Sequence, residues 1–134
     1  MNTHLSDYQR TAIMSATPAQ LLTMLYDRLL LDLDRAEQAQ LEARWPDASA
    51  QLLHAQDIVA ELQRTLDVTV WDGASGLMAI YDYVFEALVS ANIGRNVEAT
   101  RECIRRLEPL RQAWHEAATA PTAPSATGGF RRVG

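Results

Sequence analysis

The sequence contains no lysine, a single cysteine and no unbroken apolar run of membrane-spanning length. Every basic residue other than histidine is an arginine, and the formal net charge is −5. A general attraction to phosphate backbones needs the opposite sign. The densest arginine group, Arg101, Arg105, Arg106 and Arg111, shares its segment with Glu98, Glu102, Glu108 and Glu116. That mixture reads as a solvated helix face, so no nucleic-acid partner is expected. Cys103 has no second cysteine to pair with, and nothing in the chain calls for an oxidising compartment. The longest leucine-rich stretch, Leu21 to Leu33, is interrupted by Asp27, Arg28 and Asp32, which leaves it short of the ~20 apolar residues of a spanning helix. Met1 to Arg10 has no apolar signal-peptide core. A cytoplasmic protein without membrane insertion is expected.

The signatures of catalysis are also missing. A helical bundle holding two iron ions needs Glu-x-x-His on two helices, but Gln51 precedes His54 and Gln112 precedes His115 at that spacing. His4, His54 and His115 are therefore expected at the surface or on helix flanks, with no metal bound. Gly73-Ala74-Ser75-Gly76 lacks the lysine of a phosphate-binding loop, and no strand precedes it. Cys103 neighbours the core candidate Ile104 and is expected to pack as a small apolar group. Two Tyr-Asp pairs, Tyr26-Asp27 and Tyr81-Asp82, could form an acid–base site if they met. The expectation is instead that carboxylates near the bundle ends partner the buried phenols. The chain reads as a binding protein with no cofactor, not an enzyme.

What the sequence does contain is helix punctuation. Thr17-Pro18-Ala19-Gln20 combines a capping hydroxyl, a proline at the first helical position and a glutamine able to reach back to Thr17. A helix is predicted from Pro18 to about Ala43, ended by Pro46. Pro46 can open a second helix, whose Leu52, Ala55, Val59, Leu62 and Leu66 fall at steps of three and four. Asp67 to Gly76 reads as a loop, because Val68-Thr69-Val70 has no partner strand. A third helix spans about Ser75 to Ile93 along Leu77, Ile80, Tyr81, Val84, Leu88 and Ala91, with Gly94 as a left-handed cap. Asn96 caps a fourth helix, Val97 to about Ala118, with stripe Val97, Ile104, Leu107, Leu110 and Trp114. Pro109 is expected to kink or break it. The composition of residues 119–134 predicts a disordered tail. Short connections make successive helices antiparallel, so the predicted fold is all-α: an up-down four-helix bundle over 17–118, preceded by a short capping segment, 1–16.

Each helix carries more apolar residues than one stripe requires. Leu21, Leu25, Leu29 and Leu33 form one line of the first helix, and Leu22, Tyr26 and Leu30 lie beside it. A bundle core uses about three positions in seven. The surplus fits either a wide core with scattered exposed residues or an open groove for a partner helix; the pattern alone favours neither.

Several segments, in order, bear on that choice. Thr17-Pro18-Ala19-Gln20-Leu21-Leu22-Thr23-Met24-Leu25-Tyr26-Asp27 resembles the hallmark of the flagellar secretion chaperone FliS family, a Ser/Thr-Pro helix start with a leucine-rich run ending in Leu-Tyr-Asp-Gly. Tyr8-Gln9, Glu61-Leu62 through Leu66-Asp67, Ile80-Tyr81-Asp82-Tyr83, Leu88-Val89-Ser90-Ala91-Asn92 and Leu110-Arg111-Gln112-Ala113-Trp114 match further family elements. Arg28 stands where the family usually has glycine, and Ser6-Asp7 replaces its usual Asn-Ala.

The resemblance implies a cytoplasmic bundle that binds the C-terminal region of flagellin. Such a chaperone prevents premature polymerisation and assists delivery to the flagellar type III export apparatus, whose components are further expected partners. It also implies an N-terminal segment lying over the partner groove. Tyr8 and Ile13 are the candidate covering residues. Ile58, Leu62, Tyr81 and Leu88 are candidates for the flagellin-binding face. The alternative is a bundle adaptor that binds a different partner helix.

Overall fold

A computed structural model describes residues 16–120. Within them lie four helices: α1 (Pro18–Leu41), α2 (Trp45–Thr65), α3 (Ala74–Ile93) and α4 (Val97–Thr119). The start of α1 is a complete capping box. Gln20 N–H donates to the Thr17 hydroxyl at 3.1 Å, and Thr17 N–H donates to the Gln20 side chain at 2.9 Å. Asn96 caps α4 by accepting from the N–H groups of Glu98 and Ala99. Each cap satisfies amides that the helix itself cannot.

The helix ends differ in detail from the expectation. α1 stops at Leu41, because Ala43 takes a left-handed conformation, φ 57°, and turns the chain into α2. Gly94 is not the left-handed residue after α3: its φ is −89°, and Arg95 takes that role at φ 51°. Pro109 lies inside α4 without breaking it. Its exposed position lets the ring face solvent while the helix continues on both sides. The expected capping segment, apart from Ala16, and residues 121–134 of the expected tail lie outside the described residues.

The helices form a closed square. α1 packs against α2 and α4, and α3 packs against the same two. The core runs along its middle, through Leu29, Leu33, Leu52, Val59, Val84, Leu88, Cys103 and Leu107, all essentially sealed from solvent. In α4 the buried line is Thr100, Cys103 and Leu107. Ile104, Leu110 and Trp114, expected at its centre, flank it and are only partly buried. Burial raises the Cys103 thiol to about pKa 12, with nearby Glu102 adding to the effect, as suits a packing residue.

Two polar links cross the square diagonally and mark its ends. At one end the Tyr26 and Tyr81 hydroxyls hydrogen-bond at 2.8 Å. At the other, Gln40 donates to the Ala91 carbonyl at 3.3 Å and accepts from the buried Thr100 hydroxyl at 2.8 Å. Between them Asp32 is fully buried, although its sequence context reads as a polar break in a leucine run. It is paired with Arg28 at 2.9 Å and with His54. A buried carboxylate without such partners is strongly destabilising.

Leu88 is sealed within the core, whereas Leu53 is half exposed. Leu88→Ala is expected to reduce the unfolding free energy by about 2–5 kcal/mol. Leu53→Ala should change it by less than ~0.5 kcal/mol. Urea denaturation of both variants checks the contrast.

Candidate functional site

Antiparallel helices bring the start of α1, the end of α2, the start of α3 and the end of α4 to one end of the bundle. There the core opens into a cleft of about 790 Å³, lined by residues of all four helices and the α2–α3 loop. Its walls are Leu21, Leu22 and Leu25 from α1, Leu62 and Leu66 around the end of α2, and Leu77 from α3, with Trp71 and Trp114. The leucine line of the first helix thus has two fates. Leu29 and Leu33 are sealed in the core, whereas Leu25 is only partly buried and Leu21 is exposed. The surplus of apolar residues on α1 serves both core and cleft, and position along the helix decides which.

The α2–α3 connection is a folded turn. The Asp67 carboxylate accepts from the Thr69 N–H at 2.9 Å and from its hydroxyl at 2.6 Å. These bonds hold Asp67 below its ordinary pKa range. The turn carries Trp71 to the cleft, where its side chain lies over Gly73. A Cβ built on Gly73 would stand 1.8 Å from Cζ3 of the Trp71 ring. Glycine is needed here for close approach, not for a special backbone conformation.

The cleft floor is aromatic. Tyr81 and Trp114 line it. The Tyr26 ring lies 6.5 Å from the Tyr81 ring and meets Trp114 edge-to-face at 6.3 Å. Burial lifts both phenols above their ordinary pKa, Tyr81 most strongly. The Tyr26–Tyr81 hydrogen bond modifies these shifts, lowering Tyr26 and raising Tyr81. The indole N–H of Trp114 acts on Tyr26 in the lowering sense but falls outside hydrogen-bond geometry, and Nε1 has no partner among the described residues.

The carboxylates beside these tyrosines do not serve them, contrary to expectation. Asp27 accepts from Arg111 at 2.8 Å and pairs with His115 at 2.6 Å, tying α1 to α4. Asp82 accepts from Gln63 at 2.8 Å. A phenol-to-phenol bond satisfies both hydroxyls without burying a charge. His54 and His115 sit on separate carboxylates of α1. Among the described residues no group of three or more histidine, cysteine or acidic side chains could hold a metal ion. No helix among them is long and apolar enough to cross a membrane.

Of the residues singled out from sequence, Leu62 and Tyr81 line the cleft. Ile58 and Leu88 belong to the core below it and are not part of the lining. Tyr8 and Ile13 lie outside the described residues. Trp71, Leu66, Leu77 and Trp114 line the cleft without having been selected as site residues. A tryptophan in a loop, on no helical stripe, was the available signal for Trp71.

Residues 1–121 match the family model described as flagellar protein FliS. The chain is 34% identical over 110 residues to the flagellar secretion chaperone FliS of Bacillus subtilis (strain 168), covering 82% of each chain. It is 31% identical over 114 residues to the flagellar secretion chaperone FliS of Escherichia coli (strain K12), covering 84% of each. A crystal structure of a flagellar chaperone from bacteria superposes with a TM-score of 0.70 at 18% identity, over 86% of this chain and 97% of that one, and so shares its fold.

Two outcomes follow from the geometry of the cleft. Gly73→Ala should displace the Trp71 ring, visible as a changed near-ultraviolet circular dichroism spectrum with helix content retained. With Tyr26 and Tyr81 raised above 10.0 in the folded state, their contribution to stability is complete below about pH 10 and is lost as pH rises, because the unfolded chain releases those protons first. The chain has no lysine to titrate in the same range. The buried Cys103 thiol, raised from 9.0 to about 12, adds a loss that starts nearer pH 9, so the unfolding free energy should fall from about pH 9 upward, and less steeply above pH 10 in Tyr81→Phe, when followed by denaturation at stepped pH.

Proposed function

Because the chain belongs to the flagellar secretion chaperone FliS family, we propose that its cleft receives the C-terminal region of flagellin. Binding there keeps flagellin from polymerising prematurely and readies it for the flagellar type III export apparatus in the cytoplasm. The observation that carries this reading is the apolar cleft of about 790 Å³ at the open end of the bundle. Its exposed Leu21 and Trp71 are side chains that a partner's apolar face can cover. The chain acts by binding alone, with no cofactor and no catalysed step.

A segment that folds as it binds gives up ~2–5 kcal/mol in ordering. The leucine walls offset this through apolar burial at roughly 25 cal/mol per Å². The chain enters α1 at the lip of the same cleft, since Pro18 is part of its lining. In this reading Tyr8 and Ile13 cover the cleft in the free protein and give way to flagellin. Leu62 and Tyr81 meet the partner directly, while Ile58 and Leu88 support the walls from the core. Components of the export apparatus engage the loaded chaperone.

Calorimetric titration with a peptide of the C-terminal region of the same organism's flagellin should show one-to-one binding, a negative heat-capacity change and a gain of peptide helicity. Trp71→Ala should weaken that binding by about five-fold or more, as an aromatic anchor does. Tyr8→Ala should alter affinity or free-state stability, and removal of residues 120–134 should alter neither. A wild-type protein that binds no flagellin segment would transfer the cleft to a different partner helix.

A further inference from the structure

The end of the bundle opposite the cleft carries a second hollow, of about 410 Å³, between the start of α2 and the end of α3. Trp45, Pro46 and Ile93 give it an apolar wall. Ser49, Asn92 and Arg95 bring a hydroxyl, an amide and a guanidinium to the same space. Ile93 is 80% exposed, more than any other large apolar side chain among the described residues.

Arg95 stands apart from the other arginines in its backbone, its seat and its lack of an anion. Its φ is 51°, in the left-handed region that suits glycine and strains an arginine. The glycine of this turn, Gly94, lies one position earlier at φ −89°, outside that region. Position 95 thus holds an arginine where backbone preference asks for glycine. Its guanidinium lies over the Trp45 ring, 4.9 Å from the centroid, so a cation–π contact joins the α3–α4 turn to the start of α2. Arg101, Arg106 and Arg111 rest on carboxylates, whereas Arg95 has no such partner among the described residues. The acids of the adjoining turns are engaged elsewhere, Glu42 and Asp47 by Arg44 and Glu98 by Arg101. A guanidinium over an indole keeps N–H donors for an outside acceptor.

We propose that Arg95 and Trp45 form a second docking site, which receives an acidic peptide segment with its carboxylate on the Arg95 guanidinium and the neighbouring apolar residue laid over Ile93. Charge selects this occupant. The guanidinium lacks an anion, and a carboxylate takes its paired N–H groups side by side. Glu42, Asp47 and Glu98 in the adjoining turns disfavour an extended polyanion. An exposed isoleucine beside an arginine and a tryptophan is also the residue mixture of a binding hot spot. The hollow and the cleft are separated by about the length of α1, 24 residues or ~36 Å. An acidic partner at one end therefore leaves the other end free for cargo, and the site stands apart from the reading of the cleft.

Titration of the isotope-labelled protein with acetyl-Leu-Glu-Leu-Glu amide, followed by nuclear magnetic resonance, tests the site. The peptide should shift the Trp45 indole and the Asn92 and Arg95 amide signals and leave the Trp71 indole unmoved. The same peptide with glutamine for glutamate should bind about ten-fold more weakly, having lost the charge-assisted bonds. Arg95→Gly should weaken the glutamate peptide by about ten-fold as well. Its thermal midpoint should hold or rise, because glycine relieves the left-handed strain. Equal binding of the two peptides overturns the site, as does a Trp45 signal that stays still at millimolar peptide or shifts equally in Arg95→Gly. A lowered midpoint in Arg95→Gly also overturns it, since the arginine would then serve to hold the turn. A C-terminal flagellin peptide that shifts Trp45 instead of Trp71 assigns the hollow to flagellin and overturns a separate acidic partner.

Discussion

The Tyr26–Tyr81 hydrogen bond crosses the square of helices at the level where the sealed core gives way to the cleft. Its partners come from α1 and α3, which face each other diagonally and otherwise have little contact. Below it, leucine, valine and alanine side chains close the interior. Above it, the same leucine line of α1 runs out of partners and becomes a wall. The bond also explains how two phenols can be buried without a buried carboxylate. Each hydroxyl is the other's partner, so a neutral pair replaces a charge that would have needed several compensating contacts.

The opposite end is built differently. Gln40 reaches both the Ala91 backbone and the Thr100 hydroxyl, and the connections there are tight, using the left-handed residues Ala43 and Arg95. The α2–α3 connection at the cleft end is longer and carries a tryptophan. The asymmetry follows from loop length. The two tight turns are three residues each, whereas the eight-residue connection between α2 and α3 has the length to bring a tryptophan to the cleft wall.

Much of this organisation is legible in the sequence, because the features that set it act locally. The Thr17 and Asn96 caps depend on a few neighbouring residues, and the structure places both helix starts where those residues predict. Helix ends are less legible. Ala43 and Arg95 adopt a conformation that their side chains do not favour, and packing of the following helix imposes it. Asp32 illustrates the same limit: its burial depends on His54, 22 residues away. The site was partly visible as a surplus of leucines, but a helical stripe gives direction around an axis, not depth along it. Val59 and Leu62 occupy one stripe of α2, yet only Leu62 reaches the cleft. Trp71 and Trp114 join the cleft through the loop path and the end of α4, which periodicity does not encode.

The contact between Gly73 and Trp71 constrains how this chain can change over generations. With 1.8 Å between a would-be β-carbon and the indole, any other residue at 73 is shut out while the tryptophan keeps its place. Replacing Trp71 first removes that obstacle; replacing Gly73 first meets it. The two positions therefore form an ordered lock. A smaller residue at 71 leaves position 73 open to a side chain, whereas a side chain at 73 must first push the exposed indole off its seat.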